Sequence, residues 1–336
     1  MTTIKVDSFL NKRFSTRNLS DEEFENIVED LAEEISKVSY TQSYTNKQLL
    51  EDWKKLCQWE TIDSHINSTS RIGMKLCEHF FTNFYEIQNK KGESFESLWN
   101  KKNLIKILKW NRKSHSTPYL SELKRGIYFC CGLTKNTMYR PQMAKAICLK
   151  YKPKTVLDPC AGWGGRMLGV VSSEADYIAF EPNTKTYDSL INLAKFLNIE
   201  HKVKIICDDV LNIDKYDLSK VELIITSPPY FDLEVYTNES TQSIANFDNY
   251  DLWSENFLKT TIYNCLDLLN ANGVSCWNVG KVGKKDMNDD VLKYHSQRNF
   301  KVIENFSVIS SKRQSLQNSK KNEKSSDNTV VYGDVA

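Results

Sequence analysis

The sequence has few glycines and prolines, no CxxC pair and no long apolar run. Twelve Gly and seven Pro among 336 residues are too few for a linker-rich or low-complexity protein. No apolar run approaches the roughly 20 residues that cross a bilayer, and no apolar segment follows the first positive charges, so we expect neither membrane contact nor a secretory signal. Nine scattered cysteines argue against a disulfide framework or a zinc ribbon. These absences predict a cytoplasmic protein without a metal.

Charge is unevenly distributed, although the formal net charge is only +2. Residues 21–34 include eight acidic side chains and no basic one, whereas residues 90–140 include twelve Lys or Arg against three Glu. Six aromatic residues are interleaved with the basic ones: Phe95, Trp99, Trp110, Tyr119, Tyr128 and Phe129. Such a block could neutralise phosphates and stack on bases. The alternative is a solvated helix face whose aromatic residues belong to the core.

The pattern of apolar residues changes near Tyr139 and divides the chain into two predicted domains. Residues 1–138 carry apolar residues at three- and four-residue spacing, which predicts a helical domain that becomes basic towards its C-terminal end. Residues 139–336 alternate short apolar runs with helical stretches, which predicts a doubly wound, mostly parallel α/β sheet of the Rossmann-like type. Seven strands are expected, near 155–158, 177–181, 203–209, 221–226, 273–279, 300–309 and 329–332, the last two as an antiparallel pair at the sheet edge.

The most informative local motif is a glycine-rich turn, DPCAGWGGR over residues 158–166, between a predicted strand and a predicted helix. Glycines there let the backbone pass close to a ligand, and the amides of the following helix can bind it. Met167 stands where the third small residue of a GxGxxG dinucleotide motif would be, and no Walker Gly-Lys-Ser/Thr follows. Taken alone, the turn is also compatible with a purely structural role.

Acidic residues end the next two predicted strands. Glu181 lies 23 residues after Asp158, at a position where a carboxylate can accept both hydroxyls of a ribose. Asp209 ends the third strand and could accept a hydrogen bond from an adenine amine. Either residue alone is typical of a solvated loop. In order, at the carboxyl ends of successive parallel strands, they outline a site shaped for a nucleoside.

The fourth predicted strand ends in Ser227-Pro228-Pro229-Tyr230. Two consecutive prolines and an aromatic residue make a stiff loop with a fixed carbonyl direction and one presented ring. A strand that merely ends at proline is common for a single Pro and less so for this tetrapeptide. We therefore interpret the tetrapeptide as part of a functional site.

These motifs, in this order, resemble those of the class I S-adenosylmethionine-dependent methyltransferases. The tetrapeptide is further similar to the Asp/Asn/Ser-Pro-Pro-Tyr/Phe/Trp motif of the DNA amino-methyltransferases, which modify cytosine N4 or adenine N6. The resemblance covers about residues 139–336, and it implies a seven-stranded methyltransferase sheet, S-adenosylmethionine as the cofactor and DNA as the partner. The implied cofactor-binding residues are Asp158, Pro159, Ala161, Gly162, Gly164, Glu181, Asp209 and Ser227. The implied catalytic residues are Ser227, Pro228, Pro229 and Tyr230.

The chemistry of an exocyclic amine explains this residue choice. Its lone pair is delocalised into the ring, so acceptors such as the Ser227 hydroxyl and the Pro228 carbonyl would draw the nitrogen towards tetrahedral geometry. Tyr230 would stack on the flipped base and hold it at attack distance. The sulfonium charge of the cofactor already activates the methyl group, so no strong base is required. The five histidines form no obvious catalytic set.

The substrate is less well defined than the reaction. In the DNA family, Ser at the first motif position goes most often with cytosine N4, in enzymes of the restriction-modification type. Only 69 residues separate Asp158 from Ser227, so no target-recognition domain is inserted there. Target recognition is therefore expected in residues 1–138, in the loop 231–250, or in the basic loop 310–328 with Lys312, Arg313, Lys320, Lys321 and Lys324. The open alternatives are an RNA base methyltransferase (for example of guanine N2), a protein glutamine methyltransferase, and a non-catalytic nucleic-acid-binding subunit.

Overall fold

The structure, a computed structural model, describes residues 16–60, 66–67, 70–114, 119–133, 136–232, 234–237, 239–283, 285–306, 308–309 and 328–334. Its α-helices are α1 (Asp21–Ser36), α2 (Asn46–Gln58), α3 (Met74–Phe80), α4 (Phe95–Leu98), α5 (Lys101–Lys113), α6 (Leu120–Cys131), α7 (Pro141–Tyr151), α8 (Gly165–Val171), α9 (Thr184–Leu197), α10 (Tyr250–Trp253), α11 (Lys259–Asp267) and α12 (Met287–Ser296). A π-helical turn, Ser254–Leu258, joins α10 to α11. Short 3₁₀ helices cover Thr16–Asn18, Thr82–Glu86, Glu200–Lys202, Val210–Lys215 and Ser243–Asn246. No helix of the described ranges has the length and apolar character to cross a bilayer.

Seven strands form the central sheet: β1 (Thr155–Asp158), β2 (Asp176–Phe180), β3 (Val203–Ile206), β4 (Val221–Thr226), β5 (Leu269–Val279), β6 (Phe300–Phe306) and β7 (Asn328–Asp334). Their order is β3-β2-β1-β4-β5-β7-β6. The first five are parallel, and β7 runs antiparallel to both of its neighbours. Two-residue strands pair Ile66–Asn67 with Val308–Ile309 and Lys281–Val282 with Lys285–Asp286.

This sheet confirms the predicted Rossmann-like fold class. Helices α8 and α9 connect parallel neighbours, and strands β1 and β4 are almost entirely buried, as expected for a sheet covered on both faces. The expected antiparallel pairing of the last two strands is also found, although β7 lies inside the sheet and β6 forms its edge. The basic loop proposed over 310–328 falls outside the described residues except at its last position.

The chain divides into two compact units. Unit 1 comprises Met1–Ser43 and Thr82–Thr137, and unit 2 comprises Tyr44–Phe81 and Met138–Ala336. One division of the structure falls after Thr137, whereas the sequence predicts a boundary after residue 138, and α2 and α3 belong to unit 2. Packing explains this assignment, because the Lys145 Nζ of α7 donates to the carbonyls of Leu56 and Cys57, each at 2.7 Å. Helical periodicity alone cannot tell which unit a helix packs against.

Unit 1 is built from amphipathic helices around an aromatic core. A capping box opens α1, with the Ser20 hydroxyl accepting from the Glu23 amide at 3.1 Å and Glu23 accepting from the Ser20 amide at 2.7 Å. Phe95 and Trp99 are almost fully buried in the core, and Tyr128 packs against it. For these three aromatic residues the core interpretation is therefore the right one, and they are not available to stack on bases.

Candidate functional site

The motifs predicted from the sequence all lie at the carboxyl ends of the parallel strands in unit 2. The glycine-rich turn follows β1, Glu181 follows β2, Asp209 follows β3, and the Ser-Pro-Pro-Tyr loop follows β4. Because β2 and β4 lie on opposite sides of β1, the direction of strand order reverses between β1 and β4. Open parallel sheets bind ligands in the crevice at such a reversal, outside the carboxyl ends of the strands. The topology therefore brings the predicted cofactor and catalytic residues to the place where a ligand crevice is expected.

Two glycines of the turn adopt left-handed backbone conformations, for different reasons. Gly162 has φ of +59°, and an added Cβ would meet nothing closer than Arg166 Nη2 at 3.8 Å. Gly164 has φ of +73°, and an added Cβ would lie 2.7 Å from the Phe81 ring. Gly164 is thus required by packing within unit 2. Gly162 has room around it, so the turn itself can accommodate a larger side chain there.

Glu181 ties the end of β2 to the glycine-rich turn. One carboxylate oxygen accepts from the Gly162 amide at 2.8 Å and the other accepts from the Asn183 amide at 3.0 Å. Each oxygen retains a second lone pair, so the carboxylate can still accept the hydroxyls of a ribose. Burial raises the pKa of Glu181 to about 7, although the two backbone hydrogen bonds oppose that rise. The charge of this residue therefore changes near neutral pH.

This pKa predicts that cofactor affinity depends on pH. If Glu181 holds the ribose of S-adenosylmethionine, only its ionised form accepts from both hydroxyls, so with a pKa of about 7 the affinity for S-adenosylmethionine should fall about tenfold from pH 8 to pH 6. The stability of the free protein should follow the opposite trend. A carboxyl whose pKa is raised on folding contributes stability at low pH, and that contribution is lost as the pH rises from about 4.5 to about 7.

Calorimetric titrations from pH 6 to pH 8 measure the predicted dependence. The control is Glu181→Gln, which keeps the shape of the side chain but cannot ionise. We expect the variant to bind more weakly and with a flat profile. An equally steep profile in the variant would assign the titration to another group.

Asp158 lies beneath the turn, fully buried, and is saturated with hydrogen bonds. Its carboxylate accepts from Arg166 Nε at 2.6 Å, the Tyr177 hydroxyl at 2.7 Å, the Thr226 hydroxyl at 2.9 Å and the Cys160 amide at 3.2 Å. Pro159 and Ala161 are buried as well. The three residues therefore shape the turn from within, and in this conformation their side chains offer a ligand almost no surface. This placement differs from the direct cofactor contact that the resemblance implied for them.

Arg166, Tyr177 and Thr226 are the residues that the sequence analysis missed. Arg166 donates to the carbonyls of Cys160 and Ala161 as well as to Asp158, so one guanidinium holds three points of the turn. Thr226 immediately precedes Ser227, so the hydrogen bond from its hydroxyl to Asp158 connects the glycine-rich turn with the Ser-Pro-Pro-Tyr loop. Arg166 belongs to the quoted motif, but no sequence pattern indicates that it pairs with Asp158.

Asp209 is half-buried at the end of β3 and keeps one oxygen available. Its Oδ1 accepts from the Leu211 amide at 2.9 Å, and no hydrogen bond to Oδ2 is found within the described residues. Burial raises the pKa of Asp209. The neighbouring Asp208 is already engaged by Asn212 and Tyr216, each at 2.9 Å, and these bonds hold its pKa below the usual value although burial opposes them. Of the two adjacent acids, Asp209 is thus the one able to accept a further donor.

The Ser-Pro-Pro-Tyr loop presents two of its side chains at the edge of the sheet. Ser227 and Tyr230 are partly buried, and Pro228 is buried between them. In the described part of the chain, the Ser227 hydroxyl makes no hydrogen bond. Burial raises the pKa of the Tyr236 hydroxyl, and the nearby Tyr230 makes a smaller contribution to that rise. The next residue, Phe231, has φ of +46° and packs against Tyr250 and Trp253 of the core.

After Phe231 the chain crosses back towards the cofactor turn. Tyr236 lies 6.2 Å, centroid to centroid, from the ring of Trp163 within the glycine-rich turn. Further on, the Glu239 carboxylate accepts from the Thr184 amide at 3.4 Å, and the Thr241 hydroxyl donates to the Pro182 carbonyl at 3.3 Å. The loop 231–250 is one of the segments expected to recognise the target. Its described residues contact the glycine-rich turn and the segment after β2.

Two buried polar atoms lie beside the proposed catalytic loop. Trp277 of β5 pairs with Thr226, so Asn278 is the β5 residue next to Ser227, and Thr329 of β7 lies directly opposite Asn278. Asn278 Oδ1 and Thr329 Oγ1 are both buried and have no hydrogen-bond partner among the described residues. Such atoms are rare in folded proteins and need a partner. No group of three potential metal ligands is found in the described ranges.

Comparisons with known proteins give a likeness in fold. No protein-family model matches the chain, and a search of curated proteins returns no match. A putative rRNA methylase from Clostridium thermocellum is 14% identical, with a TM-score of 0.37 over 54% of this chain and 89% of that one. An rRNA methylase from Streptococcus thermophilus is 15% identical, with a TM-score of 0.40 over 60% of this chain and 100% of that one. An S-adenosylmethionine-dependent O-methyltransferase from Thermotoga maritima is 12% identical, with a TM-score of 0.39 over 62% and 71%.

Proposed function

We propose that the protein transfers a methyl group from S-adenosylmethionine to an exocyclic amine of a nucleic-acid base, cytosine N4 or adenine N6 of DNA. The observation that carries the proposal is the arrangement at the sheet edge. The glycine-rich turn, Glu181 and Asp209 follow three adjacent strands, and the Ser-Pro-Pro-Tyr loop follows the strand next to them. A nucleoside held by the first three would place its far end towards the fourth, where the second substrate binds.

The residues present fit the cofactor. Gly162 leaves room for a ligand to approach the turn, Glu181 retains lone pairs for the ribose hydroxyls, and Asp209 has an oxygen available for the adenine amine. The cofactor would supply a methyl group on a positively charged sulfur. Asp158 and Arg166 act indirectly, since they fix the turn against which the cofactor lies.

The chain's own groups would orient the amine. The Ser227 hydroxyl and the Pro228 carbonyl accept hydrogen bonds from the two N–H groups of the amine. These bonds direct the nitrogen lone pair towards the methyl carbon. Tyr230 stacks on the base after it has been flipped out of its strand. The methyl carbon would exchange its bond to the cofactor sulfur, which leaves as a neutral thioether, for a bond to the amine nitrogen. The nitrogen, cationic at that point, would then lose one proton, which Ser227 can pass on to water.

RNA is the second candidate substrate. The connections from β1 to β4 are short, with only 69 residues from Asp158 to Ser227, so they do not hold a target-recognition domain of the kind that many DNA enzymes carry. The target is then selected by other parts of the chain, which suits an RNA base, such as guanine N2, equally well. A protein glutamine amide is the third candidate, because it is the same kind of nitrogen.

Methyl transfer from labelled S-adenosylmethionine separates these candidates. The protein is incubated with duplex DNA, single-stranded DNA, RNA and a protein mixture, and each product is digested to nucleosides or amino acids. We expect label in N4-methylcytosine or N6-methyladenine. Label in an RNA nucleoside or in methylglutamine would replace DNA by that substrate, and absence of label from every product would leave only the non-catalytic alternative.

Variants of Tyr230 test the position of the base. If Tyr230 stacks on the flipped base, Tyr230→Ala should lose a contact worth about 1–3 kcal/mol, which slows transfer by about 5- to 150-fold. Cofactor affinity should stay unchanged, and Tyr230→Phe should retain most of the activity. Melting temperature, cofactor affinity and transfer rate are measured on the same variants. A large drop in melting temperature for Tyr230→Ala would instead make Tyr230 a core residue of the loop.

A further inference from the structure

Helix α5 of unit 1 carries six basic side chains, and three of them form no ion pair within the described residues. Three of its basic side chains form ion pairs with the acidic helix α1: Lys101 with Glu29 and Glu33 (3.9 and 3.7 Å), Lys109 with Glu25 (2.6 Å), and Arg112 with Asp21 (2.8 Å). The acidic and basic segments found in the sequence therefore partly neutralise each other. These three cations are already paired, so they are poor candidates for phosphate contacts.

The unpaired basic side chains of α5 are Lys102, Lys106 and Lys113, and the paired Lys109 lies beside them on the helix. At about 100° per residue these three side chains fall within about 40° of one another and extend over about 16 Å of helix. All three are exposed, and none forms an ion pair within the described residues. Lys106 also lies near α6. Burial raises the pKa of Cys130 and Cys131 in that helix, and the positive charge of Lys106 opposes this rise.

An exposed aromatic pair borders these lysines. Trp110 of α5 stacks on Phe129 of α6, with ring centroids 5.7 Å apart and planes 14° apart. Phe129 is 41% exposed, unlike the buried Phe95 and Trp99 of the same basic segment. The Arg125 guanidinium, which pairs with Glu122 at 3.2 Å and is therefore not counted among the phosphate contacts, lies 5.1 Å from the Phe129 centroid and 5.8 Å from that of Trp110. Cations beside an accessible aromatic stack are the combination with which proteins hold single-stranded nucleic acid.

We propose that this surface, the α5–α6 face (Lys102, Lys106, Trp110, Lys113, Arg125 and Phe129), binds a single-stranded segment of nucleic acid. The lysines neutralise phosphates, and an unpaired base stacks against the Trp110–Phe129 pair. A single strand fits better than a duplex, because the bases of a duplex are stacked on each other and cannot reach the rings. The inference rests on the proposed function in that the strand bound here belongs to the substrate, but binding can be measured without any methyl transfer.

Two triple variants on the same helix test the face. The first is Lys102→Gln with Lys106→Gln and Lys113→Gln. The matched control is Lys101→Gln with Lys109→Gln and Arg112→Gln. It removes the same number of positive charges from α5, but from the cations that are ion-paired with α1. Binding of fluorescently labelled 20-nucleotide single-stranded DNA, RNA and duplex is measured by anisotropy over a range of KCl concentrations, together with melting temperature and cofactor affinity.

The first triple variant should weaken single-strand binding and reduce the slope of log affinity against log salt by about 2, since each lost phosphate contact in a single strand contributes about 0.7. The control should keep the wild-type slope and lose some thermal stability through its broken ion pairs. Trp110→Leu should weaken binding at least about fivefold without changing the slope. Cofactor affinity should be the same in all variants.

Four results would overturn the inference. Equal loss in both triple variants would show that net charge matters and the face does not. Unchanged binding in the first triple variant, or no binding of any oligonucleotide by the wild type, would place the nucleic acid elsewhere or exclude it. A preference for duplex would contradict the single-stranded ligand. If oligonucleotides bind as expected but no nucleic acid is methylated, the face stands and the proposed function fails.

Discussion

Replacing Arg166 by Met should lower the free energy of unfolding by about 3–5 kcal/mol, more than any other single substitution considered for this protein. The Arg166 side chain is 5% exposed and its partner Asp158 is fully buried, at 2.6 Å. Removing the guanidinium leaves the Asp158 carboxylate in a low-dielectric interior without its counter-charge. The carbonyls of Cys160 and Ala161 lose their donor at the same time.

The control for this loss is an ion pair on the surface of unit 2. Lys285 and Asp251 lie 2.7 Å apart, with side chains 54% and 76% exposed, so Lys285→Met should cost less than about 1 kcal/mol. Urea denaturation of both variants gives the comparison. A double variant, Asp158→Asn with Arg166→Met, should be less destabilised than the sum of its single changes, because the stranded charge is gone. Similar small losses for Arg166→Met and Lys285→Met would contradict the structural role of the network.

The sequence predicts the architecture of unit 2 well, because strand and helix alternate there with clear periodicity. The antiparallel pairing of β6 and β7 follows from two strand candidates without a helix between them. Insertion of β7 between β5 and β6 does not follow, because strand order within a sheet depends on pairing partners that no local pattern specifies. The assignment of α2 and α3 to unit 2 is missed for the same reason, since their amphipathic pattern identifies a buried face and not its partner.

The candidate site is predictable in its motifs and less so in the role of each residue. Position at a strand end places Glu181 and Asp209 correctly at the sheet edge. The same reasoning treated Asp158 as a ligand contact, whereas its burial and four hydrogen bonds make it part of the support of the turn. The basic segment likewise appears uniform in sequence. Which of its cations form ion pairs, and which form none within the described residues, depends on where α1 packs against α5.

The second large effect concerns Gly162. A side chain at this position is accommodated by the protein itself, because an added Cβ meets no atom of the described residues closer than 3.8 Å, but it would enlarge the turn against which the proposed cofactor lies. Gly162→Leu should therefore abolish cofactor binding and cost only the strain of a left-handed backbone, on the order of 1–2 kcal/mol. Gly283 is the matched control, since its φ of +60° equals that of Gly162 within a degree, nothing lies within 4 Å of its added Cβ, and it belongs to none of the motifs.

The most direct test of a cofactor site at this edge is a calorimetric titration of S-adenosylmethionine into the wild type, Gly162→Leu and Gly283→Leu at pH 8, where Glu181 is ionised. We expect one molecule to bind to the wild type and to Gly283→Leu with similar affinity, and no measurable binding to Gly162→Leu, with all three proteins unfolding cooperatively. Wild-type affinity in Gly162→Leu, or no binding to the wild type, would contradict the assignment of the glycine-rich turn as a cofactor site and with it the proposed methyl transfer.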